Sequence, residues 1–391
     1  MMKMFRIPKD IAFGWGSLEY LKSIKGERAF IVTDKTCVSL GFTDKISAYL
    51  KEAGIESEIF AEVEEDPSRD TVQKGAKMMS GFQPDWIIGL GGGSSMDAAK
   101  GMWVLYEHPD IKWEDVFVPF GVPELRKKAR FIAIATTSGT GSEVTCAAVI
   151  TDRSTTPPVK GCVATTEILP DISISDPELA STMPPKVTAA TGMDVLTHAT
   201  EAYTSIAASV IDQSLALKAI DLTFGNLAKA TLDGRNKEAR EGMHTASLMA
   251  AMAFTNAFLG IVHSLAHQIG AEYHIPHGYA NSLMLPYVIR FNGVAVPEKY
   301  AEICKATGIA YDNERDAVDQ YIKAVLQLQG DVGLSHTIEG AGVERENFFG
   351  KLDQLAQNAL NDICTYNNPR TVTVEDMKAI YTAAYNGEWI S

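Results

Sequence analysis

The sequence predicts an α/β amino-terminal domain built on a parallel sheet, followed by an all-α carboxy-terminal domain. In the first half, short runs rich in β-branched residues alternate with amphipathic helical patterns. This βαβα order is typical of a parallel sheet covered by helices. The pattern changes at Pro184-Pro185, after which nearly every segment has helical periodicity, and a proline pair can begin a helix but cannot lie inside one. We therefore expect one domain over residues 1–184 and a second over residues 185–391.

Periodicity and turn residues place the individual elements. The strand candidates are short apolar runs, at 28–34, 56–63, 85–90 and 131–137. Amphipathic helical segments separate them, near 43–53, 68–82 and 94–107. Two further runs, TCAAVITD and DISISD, are candidate strands flanking a loop that contains Pro157 and Pro158. The second half begins with the helical segments 186–205, 210–231, 236–258 and 260–271.

Composition excludes several classes of function. Hydrophobic residues make up 46% and charged residues 21% of the chain, as in ordinary soluble globular enzymes. The formal net charge of −14 argues against nucleic acid and against an anionic membrane surface, because both require clustered Lys and Arg. The five cysteines include no C-x-x-C pair and predict neither a disulfide framework nor a thiolate zinc site. The amino terminus lacks the apolar core of a signal peptide, so we expect a cytoplasmic protein.

One long segment without charge needs a separate interpretation. Between Glu241 and Glu272 there is no Asp, Glu, Lys or Arg, and length alone would permit a membrane span. Histidines, Asn256 and a central Gly260 interrupt the segment. We predict a pair of buried helices here.

A glycine-rich loop joins a candidate strand to a helical stretch. Gly91, Gly92 and Gly93 follow the apolar run DWIIGL, and Ser94 begins the helix. Glycines allow close approach to the backbone, and the amides at a helix start can receive a phosphate. Because Ser94 stands where the last glycine would be, the loop is not the G-x-G-x-x-G fingerprint. We predict a phosphate-binding loop, and the alternative is a turn that serves only packing.

Two neighbouring features extend this prediction to a dinucleotide. The run TTSGTGSEVT follows the next candidate strand and places the hydroxyls of Thr136 and Thr137 at the carboxyl edge of the sheet, where ligands bind in open α/β sheets. Asp34 ends the run AFIVTD, where a carboxylate could accept from a ribose diol and repel a 2′-phosphate. The alternative for Asp34 is a solvated residue or a helix cap. Together these features predict a dinucleotide-binding domain that prefers NAD to NADP.

The second half contains a candidate site for one divalent metal ion. Its four residues are Asp194, His198, His263 and His277. The first two are at i, i+4 spacing, so on a helix both side chains leave the same face. Three imidazoles and a carboxylate suit Fe²⁺, Zn²⁺ or Co²⁺, whereas Mg²⁺ and Ca²⁺ prefer oxygen ligands. The alternative is that these histidines are satisfied core residues.

A metal ion together with a dinucleotide predicts hydride chemistry in the cleft between the two domains. A cation that polarises an alcohol oxygen favours the alkoxide, which can then transfer a hydride to nicotinamide. His267, one turn after His263, is suited to proton transfer or to a place beside the nicotinamide; it could instead be an extra ligand or a core residue. No Lys or Arg falls within 187–217 or 241–289. Since a phosphorylated substrate would need such cations, small alcohols and aldehydes are favoured.

At these motifs the sequence resembles the iron-dependent (group III) alcohol dehydrogenases over essentially the whole chain. The motifs are VTDK, GGGSSMDAAK, TTSGTGSEVT, GMDVLTHATEAY, GIVHSLAHQIGA and PHGYAN. The sequence looks especially like the alcohol dehydrogenase half of bifunctional aldehyde-alcohol dehydrogenases, and it is similar to butanol and propanediol dehydrogenases.

The resemblance implies a two-domain fold, NAD, and an iron ion on the four candidate ligands, with zinc as the alternative metal. It also implies cofactor contacts by Asp97 in the glycine loop, by Thr145 in the second loop and by Lys160. Asp66-Pro67 departs from the Asn-Pro of many members. The implied reaction interconverts short primary alcohols (ethanol, propanol, butanol and short diols) and aldehydes, as aldehyde reduction in fermentation. Members commonly form homodimers or larger assemblies.

Three rival interpretations share some of these features. Dehydroquinate-synthase-like lyases also use NAD and a metal, but they need a basic pocket that the charge-poor metal region lacks. Glycerol dehydrogenases differ in their preference for polyols and usually use zinc. A metal-binding sensor has no use for a nucleotide loop.

Overall fold

The computed structural model describes residues 4–119, 121–154 and 159–389. It divides into two compact units, with the boundary between Thr182 and Met183. Residues 4 and 5 group with the second unit. The predicted loop prolines, Pro157 and Pro158, lie outside the described residues.

The first unit is built on a six-stranded parallel sheet, whose strands are β1 (Asp10–Phe13), β2 (Arg28–Val32), β3 (Glu56–Phe60), β4 (Trp86–Gly91), β5 (Arg130–Ala135) and β8 (Ile172–Ser175). Their order in the sheet is β1-β8-β5-β4-β2-β3. The strands β6 (Ala147–Asp152) and β7 (Val159–Ala164) form a separate antiparallel pair. The α-helices of the described residues of this unit are α1 (Lys35–Ser39), α2 (Phe42–Glu52), α3 (Arg69–Phe82), α4 (Gly93–Glu107), α5 (Trp113–Val116) and α6 (Pro177–Ala180).

The central strands are apolar without interruption because helices cover both faces of the sheet. Phe30 and Ile87 enter the hydrophobic core on one face, while Ile31 and Ile88 enter the core on the other. Every residue of β4 is buried. Successive residues of these strands therefore pack into opposite cores, as expected for a pleated strand that is covered on both faces.

Two strands of this unit were not predicted. The strand β1 has only four residues, and its pairing partner β8 lies far along the chain. The strand β7 reads VKGCVA and has little apolar pattern. It immediately follows the predicted loop, so the expectation that DISISD would flank that loop is wrong: the run forms β8 and joins the parallel sheet beside β5.

The second unit is helical throughout its described core. Its helices are α7 (Pro185–Thr204), α8 (Val210–Leu232), α9 (Lys237–Ala257), α10 (Ile261–Tyr273), α11 (His277–Gly293), α12 (Pro297–Thr307), α13 (Glu314–Asp331), α14 (Arg345–Leu360) and α15 (Val374–Asn386). They enclose one large hydrophobic cluster. The predicted fold class, a parallel-sheet α/β part followed by an all-α part, is confirmed.

The uncharged segment forms most of α9 and most of α10. Within the described residues, no single helix has the length and apolar composition to cross a membrane. The pair α9 and α10 meets that criterion only jointly, and the two helices are bent by 107° at their junction.

Candidate metal centre and cofactor loops

Helix α7 carries two of the predicted ligands. Pro185 occupies its first turn, where the missing backbone N–H costs no hydrogen bond. Asp194 and His198 follow one turn apart and are 2% and 4% exposed. Since residues four apart share a helix face, α7 presents a carboxylate and an imidazole to the same point.

The other two ligands lie in the first turns of two later helices. His263 is near the start of α10 and is buried, whereas His277 begins α11 with 44% of its side chain exposed. The ligand atoms of all four side chains lie within 4.8 Å of one another. The structure therefore brings the four predicted ligands together, with the exposed side chain of His277 on the open side.

The spacing of these atoms fits one first-row divalent cation. Asp194 Oδ1 lies 3.8 Å from Nε2 of His198, 3.9 Å from Nε2 of His263 and 3.6 Å from Nε2 of His277. Ligands about 2.1 Å from a tetrahedral ion lie roughly 3.4 Å from one another. The cluster is thus slightly wider than the shell of a bound ion, and a cation would draw it inwards.

The protonation states of Asp194 and His263 also favour the binding of a cation. Burial alone would raise the pKa of the Asp194 carboxyl, but the three imidazoles and the Asn281 amide hold that pKa below its usual value. Burial and the neighbouring His198 and His277 lower the pKa of His263 well below its usual value. An ionised carboxylate and neutral imidazoles are the forms that bind metal ions.

Asn281 marks the point at which the lone pairs converge. Its amide nitrogen lies 2.7 Å from Asp194 Oδ1, 3.0 Å from His263 Nε2 and 3.2 Å from His277 Nε2. Its own oxygen is buried without a hydrogen-bond partner among the described residues. We did not predict this residue, although it lies four residues after His277 on α11 and so on the same helix face.

Glu201 orients one of the imidazoles, and it too was not predicted. Its Oε2 lies 2.5 Å from His263 Nδ1, and its Oε1 accepts from the backbone N–H of Val262 at 2.7 Å. A carboxylate that accepts the Nδ1 proton fixes the ring and leaves Nε2 free for a metal. Glu201 lies three residues after His198 on the ligand face of α7, which is a spacing that could have identified it.

His267 lies one turn after His263 on α10 and has a carboxylate partner. Its Nδ1 lies 2.8 Å from Asp362 Oδ2, and its ring stacks on that of His277 with centroids 5.5 Å apart. Burial by itself raises the pKa of Asp362, but the hydrogen bond and charge of His267 lower it to about 2. Asp362 lies 95 positions from His267 and could not be found from spacing.

In the first unit, the three glycines lie where β4 passes into α4. Gly91 has φ 146°, and a Cβ atom there would lie 2.6 Å from Ser95 Oγ, so a glycine is required. Gly92 is the N-cap of α4 and has no side-chain cap, which leaves the first amides available to an anion. Gly93 and Ser94 form the first turn of α4.

Asp34 does not end a strand as expected, since β2 stops at Val32. It is the N-cap of α1, where Oδ1 accepts from Cys37 N–H at 3.0 Å. Its Oδ2 accepts from Ser95 Oγ at 3.2 Å, which places the carboxylate beside the glycine loop. The strands β2 and β4 are neighbours in the sheet, and this adjacency brings the two features together.

The second loop meets the glycine loop along the neighbouring strand β5. The backbone N–H of Thr136 donates to Gly91 O at 3.0 Å, and Thr137 lies against Gly92. Thr145 lies farther on and is buried, where its hydroxyl accepts from the ammonium of Lys100 at 3.0 Å.

Lys100, which was not predicted, holds the second loop to α4. Its buried ammonium lies 2.8 to 3.1 Å from five oxygens, among which its three N–H groups donate. Burial lowers its pKa to about 8. Asp97 on α4 makes two further contacts of this kind. Its carboxylate accepts from Ser142 Oγ in the loop at 3.0 Å and from Val149 N–H on β6 at 2.9 Å. Lys160 lies on β7, and its ammonium pairs with Asp66 at 2.7 Å where both side chains are exposed.

Both halves of the chain match models of one protein family. The family model for iron-containing alcohol dehydrogenase matches residues 8–177, and the model for the carboxy-terminal part of that family matches residues 188–385. A crystal structure of a 1,3-propanediol oxidoreductase superposes with a TM-score of 0.92 at 37% identity, covering 98% of this chain and 100% of that one.

Two relatives illustrate the range of the matches. An NADPH-dependent butanol dehydrogenase of Clostridium saccharobutylicum is 48% identical over 387 residues, which cover 99% of both chains. The bifunctional aldehyde-alcohol dehydrogenase of Escherichia coli is 39% identical over 99% of this chain but only 46% of its own length. The chain thus spans about half of the bifunctional relative. Because the matched models and the ligand cluster agree, this chain belongs to the iron-containing alcohol dehydrogenase family.

Proposed function

We propose that this enzyme interconverts short-chain primary alcohols and aldehydes by hydride transfer with NAD. Residues 1–184 would bind NAD, and residues 185–391 would bind iron through Asp194, His198, His263 and His277, with zinc as the alternative metal. The observation that carries the proposal is the convergence of these four side chains within 4.8 Å in a member of this family. A divalent cation supplies Lewis-acid stabilisation of a substrate oxygen, worth several kcal/mol.

The preference for NAD rests on Asp34. Its carboxylate faces Ser95 beside the glycine loop, where the ribose of a dinucleotide bound to the first amides of α4 is expected. A negative charge there would accept from a ribose diol and repel a 2′-phosphate. The 48%-identical butanol dehydrogenase is NADPH-dependent, so this preference needs a direct test.

His267 is proposed to handle the proton of the reaction. Asp362 accepts from Nδ1–H, so that the neutral form of the ring keeps its proton on Nδ1 and has Nε2 as its acceptor. The ring is 38% exposed and stacks on His277, so it lies at the ligand cluster and remains accessible to water or substrate.

The substrate is proposed to be small and uncharged. The ring of Phe254 stacks on that of His198 with centroids 4.4 Å apart, which gives the ligand cluster an apolar neighbour. No Lys or Arg occurs in the sequence of α10 or of α11 before Arg290. Ethanol, propanol, butanol and short diols fit these surroundings better than phosphorylated or carboxylated substrates. We also propose a cytoplasmic homodimer, as the family resemblance implies.

The test is a substrate panel with metal-loaded protein prepared without oxygen. NAD⁺ with short primary alcohols should give NADH, and a chelator should abolish its formation. Absence of NADH with every short alcohol, with metal and cofactor bound, would defeat the proposal.

A conservative variant tests the cofactor preference. Asp34→Asn keeps an acceptor for Cys37 N–H but removes the charge, so kcat/KM with NADP relative to NAD should rise about tenfold, or ~1.4 kcal/mol. A wild-type preference for NADPH would remove this role of Asp34.

A further inference from the structure

A second group of metal-binding side chains lies beside the first. It consists of His267, Asp362 and Cys364, whose imidazole, carboxylate and thiol ligand atoms lie within 4.8 Å of one another. We propose that these three side chains form a second cation site, which binds a borderline-soft divalent ion such as Zn²⁺. The bound ion inhibits the enzyme.

Local structure fixes the three side chains relative to one another. Asp362 caps the short 3₁₀ turn Ile363–Asn367, and its Oδ1 accepts from Cys364 N–H at 2.9 Å. The same turn is tied to α10 by the hydrogen bond of 2.8 Å between Thr365 Oγ1 and Ser264 Oγ. Since His267 lies three residues after Ser264, the turn and the helix hold the donor set in place without a metal ion.

The geometry requires only small shifts on binding. Asp362 Oδ2 and His267 Nδ1 are 2.8 Å apart and would separate by roughly half an ångström to share a tetrahedral ion, whose ligands lie about 3.4 Å apart. The carboxylate is 14% exposed and the imidazole 38%, so water can reach a fourth position. Cys364 is partly exposed as well.

The donor set distinguishes this site from the first. The first set offers three nitrogens and one oxygen, whereas the second offers a sulfur, a nitrogen and an oxygen. A thiolate favours Zn²⁺ and Co²⁺ over harder ions, and Zn²⁺ binds such sites more tightly than Fe²⁺. On binding, Cys364 would release its thiol proton to solvent, while the neutral imidazole would carry its proton on Nε2 instead of Nδ1.

Inhibition is expected because the second ion would bind to His267, the proposed proton-handling residue. This step rests on the proposed function. An ion on Nδ1 replaces the hydrogen bond to Asp362 and converts Nε2 from an acceptor to a donor. His267 could then no longer accept a proton. Its ring stacks on that of His277 at 5.5 Å, so two cations would repel each other and the second should bind more weakly.

Titration of the metal-free full chain with Co²⁺ tests the site without reference to activity. The first ligand set has no sulfur, so a near-ultraviolet thiolate-to-cobalt band would report on the second site alone. We expect two ions per chain, with the band developing only with the second equivalent. Cys364→Ser should bind one ion, keep the visible spectrum of the first site and lose the band. Cys162→Ser, which changes an exposed cysteine, should behave like the wild type. One ion per wild-type chain, or a band that survives in Cys364→Ser, would overturn the site.

Zinc added to the iron-loaded enzyme tests the inhibition. The wild type should lose activity as Zn²⁺ fills the second site, and Cys364→Ser should retain it. Equal inhibition of both proteins would overturn the inhibitory role, because it would show displacement of iron from the first site. Failure of every alcohol to yield NADH would defeat the proposed function and leave the cobalt result standing.

Discussion

The ligand cluster of the second unit and the cofactor loops of the first use their side chains differently. In the cluster, the side chains themselves converge: Asp194 and three imidazoles surround one point. In the loops, most polar side chains already have partners within the protein. Asp97 and Thr145 hydrogen-bond to Ser142 and Lys100, while Asp34 caps α1.

The difference shows which groups remain for a ligand in each region. The glycine loop leaves the backbone amides of the first turn of α4, from Gly93 to Ser95, available, because Gly92 provides no side-chain cap for this helix. The side chains of the loops fix the loop shape, and the backbone would bind phosphate. The cluster leaves the side-chain lone pairs of Asp194, His263 and His277 directed at one small space. Apart from Asp34, whose charge is proposed to select the cofactor, substitutions in the loops should therefore act chiefly on stability, whereas substitutions in the cluster should act on ligand binding.

The largest effect is expected from His263→Ala. Loss of one of four ligands should reduce metal occupancy and activity together, because three ligands hold an ion far less tightly. Metal content after dialysis and NADH formation would measure both. His336→Ala, which removes an exposed histidine, is the control and should change neither. Full metal stoichiometry in His263→Ala would show that this ligand is wrongly assigned.

Glu201→Gln should have an intermediate effect on the same cluster. The two oxygens of Glu201 accept from Val262 N–H and His263 Nδ1–H, and a carboxamide can accept at only one of these positions. The ring of His263 would lose its orientation or its tautomer, and metal affinity should fall about 10- to 100-fold. Competition with a chromophoric chelator measures this affinity. The exposed Glu346→Gln serves as the control, and unchanged affinity in Glu201→Gln would contradict the role of the carboxylate.

The smallest functional effect, but a clear effect on stability, is expected from Glu143→Gln in the second loop. Glu143 is 1% exposed, and neither carboxylate oxygen accepts from another described residue. Burial raises its pKa from 4.5 to about 7. The folded protein therefore holds this proton more tightly than the unfolded chain, and wild-type stability is lost as the pH rises from 4.5 to 7.

Glu143→Gln has no titrating group at this position, so it does not lose stability in this way as the pH rises. Its free energy of unfolding should equal that of the wild type near pH 4 and exceed it by about 3 kcal/mol above pH 7. Urea unfolding at several pH values would measure the difference. The exposed Glu124→Gln should show no such trend, and a constant difference for Glu143→Gln across pH would contradict the interpretation.

The sequence predicted most of the elements near the two sites, but it failed where a residue's role depends on a distant partner. The central strands and the helices α7 to α10 were found, because uninterrupted apolar runs and helical periodicity are local signals. The edge strand β1 was missed, because pairing with β8 defines it. Asp34 was placed on a strand, but the chain leaves the sheet at Val32 and the carboxylate caps the next helix.

In the candidate site, too, residues with a local sequence signal could be predicted and residues defined by a distant partner could not. The spacing of Asp194 and His198 follows from helix geometry, and with hindsight Glu201 and Asn281 continue the same faces of α7 and α11. Asp362 has no local signal, since it meets His267 only after α10 and the 3₁₀ turn pack together.

By itself the sequence determined the fold class, the glycine loop and the chemical types of the candidate ligands, because these depend on periodicity, backbone freedom and side-chain chemistry. Only the tertiary structure decided which carboxylate orients each imidazole, that Lys100 secures the second loop, and that Cys364 joins His267 and Asp362. Such contacts link residues whose separation along the chain carries no periodic signal. They exist only once packing brings the helices and turns together.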